Sequence, residues 1–147
     1  MELAYLRNTW RGMPENRKDS REKAMKKILL VDDEPTILLT LSHILRSHGI
    51  EVVNCDHVGA AFSALNGTHY DMALVDIRLS GVEGREGLDL IRTIKTHSPT
   101  TVVVAMTAYG TEELRREALA RGASFYYNKP ISLEQILALI DIPAATS

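Results

Sequence analysis

The feature that most constrains this chain is an alternation: five short apolar runs rich in β-branched residues are separated by longer stretches whose apolar residues recur at helical spacing. Lys27–Val31 (KILLV), Glu51–Cys55 (EVVNC), Met72–Asp76 (MALVD), Thr101–Met106 (TVVVAM) and Phe125–Tyr127 (FYY) predict strands. Pro35–His48, Val58–Leu65, Gly87–His97, Glu112–Arg121 and Ser132–Ile140 predict helices after them. Runs such as ILLV and VVVA are apolar at successive positions, which suits strands covered on both faces, and parallel strands joined by helices are covered in that way. The expectation is an α/β fold of five βα units with a doubly wound parallel sheet.

Punctuation residues fall where this reading needs them. Pro35 stands at the start of the first helix, where its fixed φ and missing N–H are tolerated. Gly49 and Gly122 follow the first and fourth helices in the place of C-terminal caps. Ser132 with Gln135 three residues later, ahead of ILALI, reads as a capping box.

At 147 residues the chain suits one domain of ordinary size, and 45% apolar with 24% charged residues fits a soluble globular protein. No stretch approaches the roughly 18–20 uncharged apolar residues that cross a bilayer, and residues 1–20 hold no signal-peptide core, so a cytoplasmic location is expected. Cys55, the only cysteine, excludes an intramolecular disulfide and is read as a buried inert thiol. The net charge of −2 gives no whole-chain basic footprint, so direct nucleic-acid binding is not expected. Residues 1–24 stand outside the pattern as an extension, expected to be a flexible tail or a short helix with Leu3, Leu6, Trp10 and Met13 on one stripe. Met25, which opens MKKILLVDDE, is a second possible start of the chain.

In an open parallel sheet, ligands bind beyond the carboxyl ends of the strands. Those ends carry Asp32, Asp33 and Glu34 after the first strand, Asp76 at the third, Thr107 after the fourth and Lys129 after the fifth. A lone aspartate in such a place is usually a turn or cap residue; five agreeing positions point to chemistry. Like charges about 4 Å apart cost roughly 4 kcal/mol at an effective dielectric of about 20, so the carboxylates must take up protons or recruit a cation. Oxygen ligands suit magnesium, which favours one or two carboxylates together with phosphate oxygens. An aspartate can then act as nucleophile towards phosphorus, with a lysine and a hydroxyl neutralising the transferring oxygens. The five histidines, His43, His48, His57, His69 and His97, show no metal-ligand spacing and read as solvated side chains.

With LLVDDE, ALVDIRLSG, VVAMTAYG and GASFYYNKP in order, the chain from Met25 to about Ile142 resembles the receiver domain of two-component response regulators. The resemblance implies a flavodoxin-like fold with strand order 2-1-3-4-5. It also implies that Asp76 is the phosphoacceptor, that Asp33 binds Mg2+ (or Mn2+) directly, and that Asp32 binds it mainly through water. Asp76 itself and the backbone carbonyl of Arg78 would complete the ligands. Thr107 and Lys129 would hold phosphoryl oxygens, the Lys129–Pro130 bond would be cis, and Tyr126 would turn inward when Thr107 moves. Implied partners are a sensor histidine kinase or phosphotransfer protein and a downstream target or effector domain, with pairing through helix four, strand five and helix five as an open option. Residues 143–147 form only a short tail, so the chain is expected to be a stand-alone regulator or a receiver from a longer protein.

The sequence departs from the family at Ser80, where relatives usually carry proline, and in GVEGREG, two residues longer than usual; a looser loop before the third helix is expected. Arg78 and Tyr109 occupy the variable positions that flank the phosphoryl group in similar proteins. Three other readings share parts of the pattern. A degenerate receiver would keep the residues without the chemistry. A magnesium-dependent phosphatase with an aspartyl nucleophile usually shows D-x-D, not adjacent Asp32 and Asp33, and a dinucleotide or flavin binder would need a glycine-rich loop that VDDEPT lacks.

Overall fold

The computed structural model of the protein describes residues 26–79 and 84–140. The stripe Leu3, Leu6, Trp10 and Met13, the first part of GVEGREG with Ser80, and the tail 143–147 lie outside the described residues. Strands β1 (Lys27–Val31), β2 (Glu51–Cys55), β3 (Met72–Asp76), β4 (Val102–Thr107) and β5 (Phe125–Asn128) form one sheet in the order β2-β1-β3-β4-β5. Every neighbouring pair is parallel. Helices α1 (Pro35–Ser47), α2 (Val58–Leu65), α3 (Glu86–His97), α4 (Glu112–Ala120) and α5 (Leu133–Ile140) alternate with them.

Successive strand residues point to opposite faces, and here both faces are apolar. Leu29, Val31, Ala73, Val75, Val103 and Ala105 pack with Ala61 of α2, Leu88, Ile91 and Ile94 of α3, and Leu114 and Ala118 of α4. Ile28, Leu30, Met72, Leu74, Val104 and Met106 pack with Leu41 and Leu45 of α1 and Ile136 and Leu139 of α5. Each fully buried aliphatic side chain contributes roughly 1.5–3 kcal/mol, so the two-sided layer, not local propensity, holds the short strands. Cys55 is buried in the first of these clusters as a free thiol.

The helix ends follow the punctuation. Gly49 (φ 79°) closes α1 with its N–H donating to Arg46 O while that of Ile50 donates to Leu45 O. Gly122 (φ 121°) closes α4 in the same way, with bonds to Leu119 O and, from Ala123, to Ala118 O. This paired pattern caps the last carbonyls of a helix and needs a left-handed residue, which glycine adopts without a Cβ penalty. At α5, Ser132 Oγ accepts from the Gln135 N–H (3.1 Å) and Gln135 Oε1 accepts from the Ser132 N–H (2.9 Å), the reciprocal box expected there.

Several boundaries differ from expectation by one residue, with α1 ending at Ser47, α3 starting at Glu86 and α5 starting at Leu133. The fourth strand begins at Val102 and runs on to Thr107, because the Thr101 N–H bonds Ser98 O and its hydroxyl donates to Tyr70 O, which ties Thr101 into the preceding turn. The fourth helix stops at Ala120 with Arg121 as cap, and Asn128 joins β5 through its pairing with Thr107. No helix among the described residues is long and apolar enough to cross a membrane.

Candidate functional site

The register brings the strand ends level. Val31 pairs with Val75, Asp76 with Met106 and Thr107 with Asn128, so Asp32, Asp76, Thr107 and Lys129 meet along one sheet edge. Asp76, Thr107 and Lys129 border a cleft of about 230 Å3 that Asp33, Glu34 and Arg78 also line.

Backbone bonds hold the two buried carboxylates. Asp32 continues the ladder, its N–H donating to Cys55 O, while its Oδ1 accepts from the Glu34 N–H at 2.9 Å. Asp76 Oδ1 accepts from the Arg78 N–H at 3.2 Å. Asp33 is exposed because the strand ends at Val31, which lets adjacent aspartates serve one cleft instead of opposite faces. Lys129 Nζ lies 2.7 Å from Glu34 Oε1, 2.8 Å from Asp32 Oδ2 and 3.3 Å from Asp76 Oδ2. Its contact with Asp32 is an ion pair without the direction of a hydrogen bond, so Asp32 Oδ2 is buried with a lone pair uncommitted. The buried Thr107 hydroxyl accepts from the Tyr109 N–H at 3.3 Å and keeps its own proton to donate.

Burial pushes the Asp76 carboxyl up to about 6, the Asp32 charge adds to the rise, and Lys129 opposes it. Burial likewise raises Asp32 against the pull of Lys129. Burial alone would lower Lys129, but its contacts with Asp32 and Glu34 and the charge of Asp76 outweigh that and leave it raised. The edge therefore carries excess negative charge that one ammonium does not neutralise. Asp32, Asp33 and Asp76 each offer a carboxylate oxygen within 4.8 Å of the others, and no other metal-binding group of His, Cys, Asp and Glu occurs among the described residues. An oxygen-only donor set of this kind, with an uncommitted buried lone pair, fits a hard divalent cation.

The remaining expected residues stand nearby. The Lys129–Pro130 peptide is cis. Tyr126 is half-buried against the core, its hydroxyl buried and without a hydrogen bond among the described residues. Gly110 faces that hydroxyl, and an added Cβ there would collide with it. Two features escaped the sequence. The Glu34 side chain reaches Lys129 across 95 residues of chain, and the Arg78 Nε–H donates to Tyr109 O at 3.1 Å, bridging the two loops that flank Asp76. Glu34 was visible as a strand-end acid, but nothing in its spacing assigns it a cation.

Residues 28–141 match the family model described as response regulator receiver domain. The chain belongs to the response regulator receiver family. Relatives of this receiver include the sensor histidine kinase GacS of Pseudomonas protegens, 30% identical over 88% of this chain, and the response regulator FleR of Pseudomonas aeruginosa, 35% identical over 78%. The chain spans 14% and 24% of those two proteins. A response regulator of Burkholderia pseudomallei, solved with a phosphorylated aspartic acid, a calcium ion and citrate, superposes with a TM-score of 0.71 at 27% identity, covering 79% of this chain and 66% of that one. The receiver's strand order, 2-1-3-4-5, is the flavodoxin-like order expected.

Proposed function

We propose that this receiver accepts a phosphoryl group on Asp76 from a phosphohistidine of a sensor histidine kinase or phosphotransfer protein, and that the modified domain changes its protein contacts in cytoplasmic two-component signalling. The observation that carries this is the buried Asp76 carboxylate lining a cleft with Asp33 and Lys129, with an oxygen of Asp32 within 4.8 Å of both aspartates. The phosphorylated aspartic acid of the Burkholderia relative supports the same chemistry.

In the step, a carboxylate oxygen of Asp76 forms the new P–O bond as the P–N bond breaks. The electron pair leaves with the imidazole nitrogen, and the ring, protonated on its other nitrogen, departs neutral. Asp33 directly, Asp32 mainly through water, Asp76 and the Arg78 carbonyl would hold Mg2+ (or Mn2+), which would supply positive charge to the phosphoryl oxygens. Lys129 and the Thr107 hydroxyl bind the same oxygens. The product places about two negative charges beside Thr107 and Lys129; Tyr126 then follows Thr107, and the α4–β5–α5 surface is the one that changes. That surface meets a downstream target, an effector domain or a second copy of the chain.

The test is intact mass after incubation with acetyl phosphate, with and without Mg2+. Wild type gains one base-labile phosphoryl group only with Mg2+, and Asp76→Ala gains none. A wild type that neither reacts nor binds Mg2+ would make the domain an interaction module that works without phosphorylation. Arg78 and Tyr109, bridged over the cleft, obstruct the line of attack by water. Their replacement by alanine together speeds dephosphorylation, and an unchanged rate refutes that role.

A further inference from the structure

We propose that Glu34 is a positioning residue that holds the Lys129 ammonium while Asp76 is unmodified and competes with the phosphoryl oxygens for it afterwards. The proposal rests on Asp76 being the phosphoacceptor.

An ammonium has three N–H donors and no acceptor. Here its three close neighbours are the carboxylates of Glu34 at 2.7 Å, Asp32 at 2.8 Å and Asp76 at 3.3 Å. Glu34 and Asp76 accept directed hydrogen bonds from Lys129 while Asp32 pairs with it by charge, and new acceptor oxygens on Asp76 compete with these three carboxylates for a side chain that is only 8% exposed. The three acids differ sharply in what release costs. The Asp32 and Asp76 side chains are 0% and 5% exposed, so losing the lysine would leave a buried charge without its partner, which is expensive. Glu34 is 58% exposed and returns to water. It is also the least tethered: Asp32 and Asp76 are fixed by backbone N–H groups, whereas the Glu34 side chain makes no capping bond although it stands at the N-cap of α1. The exchange therefore takes place at Glu34, and its carboxylate is a built-in rival of the phosphoryl group. The Glu34 backbone N–H, which holds Asp32, is untouched by changing the side chain.

The test uses beryllofluoride, a stable phosphoryl mimic, titrated by calorimetry into the full chain with Mg2+. Glu34→Gln binds it about two- to fivefold more tightly than wild type, the size expected for removing a half-exposed ionic competitor. A defect that merely loosened the fold would not tighten binding. Asp56→Asn is the control: Asp56 is an exposed carboxylate just beyond β2, on the same sheet edge, whose hydrogen bond goes to His57. It leaves the affinity unchanged. In addition, the Lys129 side-chain NMR signal differs between wild type and Glu34→Gln without beryllofluoride and coincides with it bound. Unchanged or weaker binding by Glu34→Gln overturns the proposal, as does an equal gain from Asp56→Asn, which would mark a general field effect. If wild type itself fails to bind beryllofluoride, the phosphoacceptor reading falls and takes this proposal with it.

Discussion

At the amino ends of the strands, Asp71 Oδ2 accepts from the Lys27 N–H at 2.9 Å, the Thr101 hydroxyl donates to Tyr70 O at 2.7 Å, and the Tyr70 hydroxyl donates to Ala64 O at 2.8 Å. Lys95 Nζ donates to Pro99 O and Thr101 O in the same region. At the carboxyl ends, Asp32, Asp76 and Glu34 crowd around a single ammonium with Asp33 beside the two aspartates, and burial lifts Asp76 well above an ordinary carboxyl. One end satisfies its polar groups with directed bonds, each worth about 1 kcal/mol net. The other keeps like charges together at a cost that proton uptake or a bound cation would relieve. Local rules are broken where function needs them broken.

If the carboxyl edge is a cation site held in deficit, the largest effects include that of Mg2+. At a hundredfold excess over its Kd it raises unfolding stability by about 2.7 kcal/mol, and Asp33→Asn loses most of the gain; thermal melts that ignore Mg2+ at every concentration would erase the contrast. Comparable in size is Asp76→Asn without metal, which stabilises the protein by about 3 kcal/mol at pH 7. Between 3.8 and about 6 the native Asp76 holds a proton that the unfolded chain has lost. Stability therefore falls as pH rises through that window, the penalty is complete above it, and the advantage of Asn disappears below pH 3.8. Denaturant titrations at both ends of the window check this.

The amino edge has the opposite sign. Thr101→Val removes the buried hydroxyl that serves Tyr70 O and costs about 1–2 kcal/mol, measurable as a lower urea midpoint with an unchanged slope. Smallest is Glu51→Gln at the same edge, which breaks an exposed 3.6 Å pair with Lys27 and changes stability by less than about 0.5 kcal/mol. A larger loss there would mean that surface charge, not buried hydrogen bonding, secures that end.

Much of this contrast was legible in the residues, for local reasons. Pro35, Gly49, Gly122 and the Ser132–Gln135 box each act within a few positions, so their structural roles follow from short-range geometry. Continuous apolar runs fixed which strands lie between two layers. Asp32, Asp33, Asp76, Thr107 and Lys129 could be grouped because parallel strands present all their carboxyl ends on one edge. What stayed hidden depends on side-chain reach between distant segments. The pairing of Glu34 with Lys129, the Arg78–Tyr109 bridge, and the Arg85–Glu117–Arg121–Asp89 ladder joining α3 to α4 have no periodicity or spacing to announce them. The start of β4 was misplaced for a similar reason, since Thr101 looks like a strand residue until its hydroxyl finds Tyr70.

In the proposed function Asp76, and no other carboxylate of the crowded edge, takes the phosphoryl group. Phosphorylating the protein with acetyl phosphate and Mg2+, reducing the acyl phosphate with borohydride and sequencing the peptides by mass spectrometry reads the site directly, because the modified aspartate is left as homoserine. Homoserine is expected at position 76 alone. Homoserine at position 32 or 33, or its absence from a protein that has gained phosphoryl mass, would contradict it.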